Sequence, residues 1–417
     1  MPNNDKDIKK NLLIFTSTFP RWLGDKTPAD FVYCLAQEMS KFYSTNVLAP
    51  HHPDAATHET MESITVFRFP FFWPKSKQIL ANGKGMLANI RQSLLAKIQI
   101  PFLILSGMIA FVRTLRKTKA SIVNSHWLVP QGLISAFFKK RYGYFHAITI
   151  HAADVFLLAR IPFGKLLTRF IVDNTDIFLP VSRKNQEILE SLAPNKKIRS
   201  EILPMGVSIQ FFDSSENVAP EELGIDVTKK NALFVGKITE KKGLPYLIRA
   251  FTDWSKTESN ARLIIVGDGF MRSQCEEEAN QLNVADKINF VGMKSKTEVR
   301  NYLKNSDLLV VPSIIDSLGE TEGAPVVVME AMAAGKPIIA SDVGGISDMV
   351  SDNLNGIIVQ PKDVTALTEA FKTIYYENSL QTMGKKSFEI IQDYDWKSIG
   401  EKYKNAFSNS SFTSKPQ

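Results

Sequence analysis

Pro312-Ser313-Ile314-Ile315-Asp316-Ser317-Leu318-Gly319-Glu320-Thr321-Glu322-Gly323-Ala324-Pro325, continuing through Val326 and Glu330 to Ala331-Met332-Ala333-Ala334-Gly335, is the stretch from which the rest of the chain can be read. The apolar run Leu308-Leu309-Val310-Val311 before it reads as a buried strand ending at Pro312. A polar loop follows, and a helix is expected to start at Pro325, where the missing proline N–H costs nothing. Gly335 stands where a helix C-terminal cap is expected. The amides around Gly323 and Ala324 then lie at a helix N-terminus, a geometry that suits an anion or a hydroxyl. Two carboxylates frame the turn, Glu322 before the helix and Glu330 within it. If the eight steps between them were wholly helical, they would stand about 12 Å apart, and each could accept two hydroxyl hydrogen bonds.

Outward from this stretch, short β-branched and aromatic runs alternate with helical patterns, which predicts α/β architecture with parallel sheets. Strands are expected at 11–18, 45–50, 64–69, 121–126, 146–151 and 177–182, then at 231–236, 262–267, 288–292, 307–312, 337–341 and 356–360. At 417 residues the chain exceeds one ordinary core, so two domains are expected. The irregular segment 206–230 puts the hinge near Pro204-Met205-Gly206. The expected division is 1–204, 205–395, and a C-terminal segment 396–417 in which Trp396, Ile399, Tyr403 and Phe407 recur at helical spacing before a loose tail. In open parallel sheets, ligands sit outside the carboxyl ends of the strands, so the informative residues should follow strands.

The Glu-x7-Glu spacing, with Gly-Ala-Pro between and Glu-Ala-Met-Ala-Ala-Gly-Lys-Pro after, closely resembles the C-terminal signature of the retaining glycosyltransferases with the GT-B fold (glycosyl transferases group 1, family four of the sugar-enzyme classification). Upstream, Leu233-Phe234-Val235-Gly236-Lys237-Ile238-Thr239-Glu240-Lys241-Lys242-Gly243 is similar to that family's strand, glycine and paired basic residues. The family more often has Arg at the position of Lys237, and Lys lacks the bidentate fork of Arg. The resemblance implies two Rossmann-like domains facing a central cleft. The N-terminal one would bind the acceptor and the C-terminal one a UDP- or GDP-linked sugar, with the final helix returning to the first domain. The 12 Å between Glu322 and Glu330 would then match the distance from ribose to hexose in such a donor.

On this resemblance His151, Lys237, Lys242 and Glu322 are the expected catalytic residues. Gly24, Asp154, Gly236, Gly267, Met293, Gly323, Ala324, Pro325 and Glu330 are expected to bind the donor. Gly24 lies in the loop Phe19-Pro20-Arg21-Trp22-Leu23-Gly24-Asp25 after the first strand, and His151 and Asp154 form a His-x-x-Asp element. Val266-Gly267-Asp268-Gly269 and Val291-Gly292-Met293 end strands, while Asp342-Val343-Gly344-Gly345 is expected to open another helix. His126, at the end of the preceding strand, reads equally well as structural or functional. The implied chemistry is front-face transfer with retention at the anomeric carbon. Lys237, Lys242 and helix amides would neutralise the departing diphosphate without a metal or cofactor. The Asp-x-Asp triplet Asp5-Lys6-Asp7 falls in the loose N-terminal tail and gives no support to metal-dependent donor binding.

Other readings are weaker or need a test. No Gly-x-Gly-x-x-Gly follows the first strand or opens the second domain, which disfavours an oxidoreductase. A sugar-nucleotide epimerase would turn over donor without an acceptor, and a non-catalytic sensor would release no nucleotide.

Charge is strongly divided. Residues 1–200 hold 27 Lys and Arg against 13 Asp and Glu, a net of +14, and the remainder holds 23 against 30, a net of −7. No acid occurs between Glu62 and Asp154, while nine basic residues run from Lys75 to Lys119. That suits an anionic membrane surface or a phosphate-bearing acceptor, glycan or lipid-linked. No helix-turn-helix, zinc-finger or RNP-like motif points to nucleic acid. The most apolar run, Ile98 to Val112, is 15 residues long, short of the roughly 20 needed to span a bilayer. It reads either as a core helix on the N-terminal sheet or as an interfacial helix on a membrane. Cys34 and Cys275 have no metal-like spacing and indicate no disulfide framework. The N-terminus lacks the apolar core of a signal peptide. A cytoplasmic enzyme of cell-surface polysaccharide or glycolipid synthesis, peripheral on the inner face of the membrane, is the resulting expectation.

Overall fold

A computed structural model of the chain describes residues 9–25, 30–81, 86–151, 153–213, 218–317, 319–376 and 379–408, except the side chains of Leu87, Ala88 and Ala153. The Asp5-Lys6-Asp7 tail, the serine-rich C-terminus, Lys84, Ala152, Ser214, Ser215 and Leu318 lie outside the described residues. The chain divides into two compact units, residues 1–204 with 396–417, and residues 205–395.

The first unit holds β1 (Asn11–Phe15), β2 (Ser44–Pro50), β3 (His58–Met61), β4 (Ile64–Phe69), β5 (Ile122–His126), β6 (Phe145–Ile150) and β7 (Ile177–Pro180). They form one sheet in the order β3-β4-β2-β1-β5-β6-β7, parallel throughout except where β3 pairs antiparallel with β4. The six expected strands are all present. β1 is shorter than expected because the Thr16 hydroxyl turns the chain by accepting from the Thr18 amide at 3.1 Å. β3 was not expected. His58-Glu59-Thr60-Met61 buries only Met61, and a short polar edge strand carries little hydrophobic signal.

Five helices matter for the first unit. The helix Leu94–Thr118, extending the apolar run at both ends, packs Leu103, Phe111 and Leu115 into a core with Leu13 and Phe15 of β1. The helices Leu133–Tyr142 and Gly164–Asp173 continue the same layer beside it. On the opposite side, helix Trp396–Ser408 lies along helix Phe31–Ser40. There the Tyr403 hydroxyl is 3.3 Å from that of Thr149, and the Phe407 ring meets the edges of Tyr43 and Phe145.

The second unit is an all-parallel sheet of β8 (Lys230–Val235), β9 (Ala261–Val266), β10 (Ile288–Gly292), β11 (Leu308–Val311), β12 (Ile338–Ser341) and β13 (Gly356–Val359), in the order β10-β9-β8-β11-β12-β13. All six match the strands expected for this half. The continuous apolar runs are buried on both faces, as in β11 and β12. The expected helix at Asp342-Val343-Gly344-Gly345 does not form. β12 is followed by consecutive turns up to β13, with the Val343 carbonyl accepting from Ile346 and the Ile346 carbonyl from Met349 and Val350.

In both sheets the strand order reverses beside the first strand, between β1 and β5 and between β8 and β11. Connections from those strands leave in opposite directions, which opens a crevice at the carboxyl edge. One face of the second sheet is closed by helices Leu244–Thr257 and Val364–Tyr376, where the fully buried Trp254 stacks on Phe371 (4.7 Å, 5°) and on Tyr375 (5.0 Å). The Trp254 indole N–H has no hydrogen-bond partner. Trp254→Ala is expected to destabilise this unit by about 3–5 kcal/mol in urea unfolding. Trp254→Phe should cost clearly less, because it removes the unpaired donor along with the lost packing.

Candidate active site

In the second unit the crevice is lined by the loops after β8 and β11. Helix Val326–Ala333 begins one residue later than expected. Pro325 is its N-cap, in an extended conformation (ψ 117°), and no side chain caps the helix. The Val328 amide donates to the Pro325 carbonyl at 3.0 Å, and the amides before it are placed to meet a ligand. At the other end Gly335 (φ +66°) donates to the Met332 carbonyl at 2.9 Å and Lys336 to that of Ala331 at 2.9 Å, the two bonds of a Schellman cap. Since residues 322–325 precede the helix, the distance from Glu322 to Glu330 is not a wholly helical one. Glu330 lies just over one turn into the helix and is partly buried.

Glu322 is buried, 7% exposed, and accepts from the Ser313 hydroxyl at 3.2 Å. Its Oε1 lies 3.0 Å from the Lys242 ammonium. Burial pushes the Glu322 carboxyl up, but the charges of Lys242 and Lys241 and the hydrogen bonds from Lys242 and Ser313 outweigh it, so its pKa lies below the ordinary 4.5. The two loops are tied together by the backbone. The Ile314 amide donates to the Lys241 carbonyl at 2.8 Å, and a Cβ on Gly243 would stand 1.9 Å from the Pro312 carbonyl oxygen. Glu240 latches the far side, accepting from the Ser317 amide at 2.8 Å and hydroxyl at 2.6 Å.

Gly236 and Gly267 end adjacent strands. A Cβ on Gly267 would fall 1.9 Å from the Gly236 carbonyl oxygen, so this floor is bare backbone. A Cβ on Gly236 would press on the Lys242 side chain at 3.3 Å. Lys237 follows on the same loop with its side chain exposed, and Met293, after β10, is 79% exposed. Gly323 and Ala324 sit between Glu322 and the helix, half-buried. The structure thus joins Gly236, Lys242 and Glu322 directly, with Lys237, Gly323, Ala324, Pro325 and Glu330 on the loops and helix that carry them. Ser313, Glu240 and Gly344 are additions that the sequence did not reveal. A Cβ on Gly344 would lie 2.0 Å from the Glu322 carbonyl oxygen, a close approach that only the folded chain discloses.

The sequence holds a second Asp-x-Asp triplet, Asp393-Tyr394-Asp395. It serves the fold: the Tyr394 carbonyl accepts from the Val207 amide at 2.9 Å and Asp395 Oδ1 from that of Ile209 at 3.4 Å.

In the first unit, His126 ends β5 and His151 follows β6. Their Nδ1 and Nε2 atoms are 2.8 Å apart, with the rings stacked at 18°. Trp127 and Phe31 enclose His151 at 4.7 and 5.1 Å. Burial pushes His151 down to about 3, and burial together with His151 pushes His126 well below its ordinary value. Both rings are neutral at pH 7, with one proton between the facing nitrogens. His126 Nε2 is buried without a partner. Asp154 is buried, and its Oδ2 accepts from the Leu128 amide at 2.7 Å. Burial raises it to about 6, partly offset by that amide. Gly24 (φ +81°) occupies a turn fixed by Arg21, whose guanidinium grips Asp25 through two bonds of 2.8 Å. Among the described residues, nothing lies within 4 Å of a Cβ placed on Gly24.

Two stability profiles follow. Because the Glu322 pKa is depressed on folding, its contribution is present above 4.5 and lost as pH falls through the lower folded value. Lys242→Ala strips a buried carboxylate of its counter-charge, so it should cost about 3 kcal/mol at pH 7 and less near pH 4 in urea titrations. In the first unit the histidines act with the same sign. His151 and the buried His146, held at about 4, stay neutral while the unfolded chain takes up protons below 6.5. Stability should fall by about 1.4 kcal/mol per pH unit per histidine from 6.5 toward 5, and His151→Gln should make that slope shallower.

Residues 215–388 match the sequence family described as glycosyl transferases group 1. The chain is 30% identical over 278 residues to the uncharacterized glycosyltransferase MJ1178 of Methanocaldococcus jannaschii, covering 66% of this chain and 71% of that protein. It is 26% identical over 274 residues to the alpha-monoglucosyldiacylglycerol synthase of Streptococcus pneumoniae, covering 63% of this chain. The chain spans 59% of the length of that synthase, and the same share of another glycosyltransferase of M. jannaschii. Sucrose-phosphate synthase from Thermosynechococcus elongatus superposes with a TM-score of 0.75 at 19% identity, over 96% of this chain and all of the other. Anabaena HepE in complex with UDP superposes with a TM-score of 0.70 at 16% identity, over the same shares. These last two likenesses are of fold. Taken with the two Rossmann-like sheets and the crevice between β8 and β11, the matches show that the chain belongs to the group 1 glycosyl transferases and has the GT-B fold.

Proposed function

We propose that this chain transfers a hexose-type sugar from a UDP- or GDP-linked donor to a glycan or lipid-linked acceptor, with retention at the anomeric carbon and without a metal or cofactor. The observation that carries the reading is the buried Lys242–Glu322 pair, 3.0 Å apart beside an uncapped helix N-terminus at the point where strand order reverses. A cation and free amides suit a diphosphate there, and a carboxylate held ionised beside them suits sugar hydroxyls. The unit 205–395 is the donor-binding half in this reading, and the unit built from the N-terminal half binds the acceptor. The name of the pneumococcal synthase similar to this chain is that of a lipid glycosylating enzyme, and HepE holds UDP on the same fold; both support the acceptor and donor classes proposed.

In the reaction the bond from the anomeric carbon to the donor's phosphate oxygen breaks. The acceptor hydroxyl oxygen bonds to that carbon from the same face, and its proton passes to the departing phosphate. Lys237, Lys242 and the amides of Gly323, Ala324 and the first helical turn take up the charge that grows on the leaving group. Glu322 and Glu330 hold donor hydroxyls. Gly236, Gly267 and Met293 border the nucleotide, and Gly24, His151 and Asp154 are the N-terminal unit's contribution beside the sugar. The neutral state of His151 makes it a hydrogen-bonding and packing group, not a charge. The enzyme would work in the cytoplasm, in synthesis of cell-surface polysaccharide or glycolipid.

A thermal-shift screen of nucleotide sugars identifies the donor, since a ligand at 100 times its dissociation constant adds about 2.7 kcal/mol. With that donor, Glu322→Gln is expected to lower kcat/KM for nucleoside diphosphate release at least about 100-fold while a cooperative melting transition is retained. Proton NMR of the product should show the donor's anomeric configuration, and EDTA should leave the rate unchanged. An undiminished rate in Glu322→Gln refutes the assignment, and donor binding without release of nucleotide makes the protein a sensor.

A further inference from the structure

The helix Leu94–Thr118 is long and apolar enough to cross a membrane, yet one face of it is committed to the N-terminal sheet. Only 28% of its most apolar window is buried. The other face carries Leu94, Ile98, Phe102, Leu105 and Ile109, all exposed, Leu105 by 60%. Their spacing of three or four residues puts them on one stripe. Arg113 and Arg116 continue the stripe at its C-terminal end, and Lys97 flanks it at the other.

Neighbouring parts of the same layer add to this surface. The buried Gln99 side chain receives the amides of Ile79 and Leu80 at 3.1 and 3.0 Å and donates to the Lys77 carbonyl at 2.6 Å. That fixes the segment with Lys75 and Lys77 against the helix. Phe72 meets Phe102 edge-on at 5.6 Å, and Trp73 beside it is 82% exposed. In the next helix, Leu133–Tyr142, Phe137 stands exposed beside Lys140 and Arg141. Further along the chain, helix Gly164–Asp173 exposes Leu166 and Phe170 with Lys165 and Arg169. From Glu62 to Asp173 the sequence holds one acid between, Asp154, and it is buried. Sixteen Lys and Arg occupy the same interval.

We infer that this helical layer is a docking face for an anionic lipid bilayer, with the helix Leu94–Thr118 lying in the plane of the interface. Apolar stripes set among cations, with no exposed acid among the described residues between Glu62 and Asp173, complement a sheet of acidic headgroups over hydrocarbon. Trp73 stands where an amphipathic ring marks the headgroup boundary. A spanning orientation is excluded by the face packed on β1 and by the Gln99 bonds, which hold the helix along the sheet. The inference is independent of the donor chemistry, and its test needs no substrate.

The full chain is sedimented with vesicles of phosphatidylcholine alone and with about 30% phosphatidylglycerol, at low and high salt. Binding is expected to the anionic vesicles at low salt, with a blue shift of tryptophan emission that Trp73→Phe removes. Lys97→Glu/Arg113→Glu should weaken partitioning at least about tenfold, and Leu105→Asp/Ile109→Asp, both on the exposed face, should abolish it while circular dichroism is unchanged. Failure to sediment with anionic vesicles at low salt overturns the inference. So does binding that survives Leu105→Asp/Ile109→Asp, which would mean that basic charge alone is at work. A dimer by light scattering that this pair of substitutions splits, without vesicle binding, would show that a second copy of the chain covers the face instead.

Discussion

A carboxylate buried at the carboxyl edge of a parallel sheet needs a cation, and the second unit is built around supplying one. The chain leaves β8 and β11 in opposite directions, so the notch between them is walled by loops and not by side chains of the sheet. Lys242 reaches Glu322 only because the two loops close on each other, with Gly243 against the Pro312 carbonyl and Gly236 against the lysine stem. The first approach forbids a side chain, and a Cβ at the second would push the lysine stem aside. The glycines, the lysine and the glutamate form one constraint, and the uncapped helix after Pro325 inherits from it a fixed position beside a fixed charge.

That constraint is legible in the sequence where its parts are local. Strand, glycine, paired lysines, and then strand, loop, Gly-Ala-Pro and helix each occupy a dozen residues, and every one has a backbone reason for its residue types. The Schellman cap at Gly335 and the buried runs of β8, β9, β11 and β12 are of this kind. What remains hidden is long-range. Ser313 bonds to Glu322, Glu240 to Ser317, and Gly344 touches the Glu322 carbonyl, and no spacing announces these pairs. Asp342-Val343-Gly344-Gly345 was misread as a helix start for that reason: the left-handed turn at Gly344 (φ +62°) answers to a tertiary neighbour, not to a following helix.

The first unit shows the same division more sharply. Its six parallel-sheet strands follow from apolar runs, whereas β3, half of it charged or imidazole, is defined only by pairing with β4. Both histidines are visible at strand ends, but their contact depends on register. β5 and β6 pair His126 with Thr149, which sets His151 two residues beyond and within 2.8 Å of its neighbour. Asp154 is visible in the sequence as well, but the bond from an amide 26 residues earlier to one of its oxygens is not. At neutral pH the two depressed imidazoles carry no charge, while the Asp154 carboxyl, raised to about 6, is mostly ionised and held by a backbone amide and not by a cation as Glu322 is.

The apolar run Ile98–Val112 illustrates why periodicity alone could not decide between core and interface. A helix that packs on a sheet with one face and meets water with the other shows a strong 3.6-residue alternation. Here both faces are apolar, so the alternation is blurred and the run looks like a buried helix or a membrane segment according to the measure applied. The structure makes the two readings faces of one element: Leu103, Phe111 and Leu115 inward, Ile98, Phe102 and Leu105 outward. Small side chains and one polar one set the boundary. Gly107 admits Ile134 and the Phe69 ring to about 3.4–3.5 Å of where its Cβ would be, and Gln99, which a spanning helix would have to leave in hydrocarbon, spends its amide on three backbone groups of the segment 77–80.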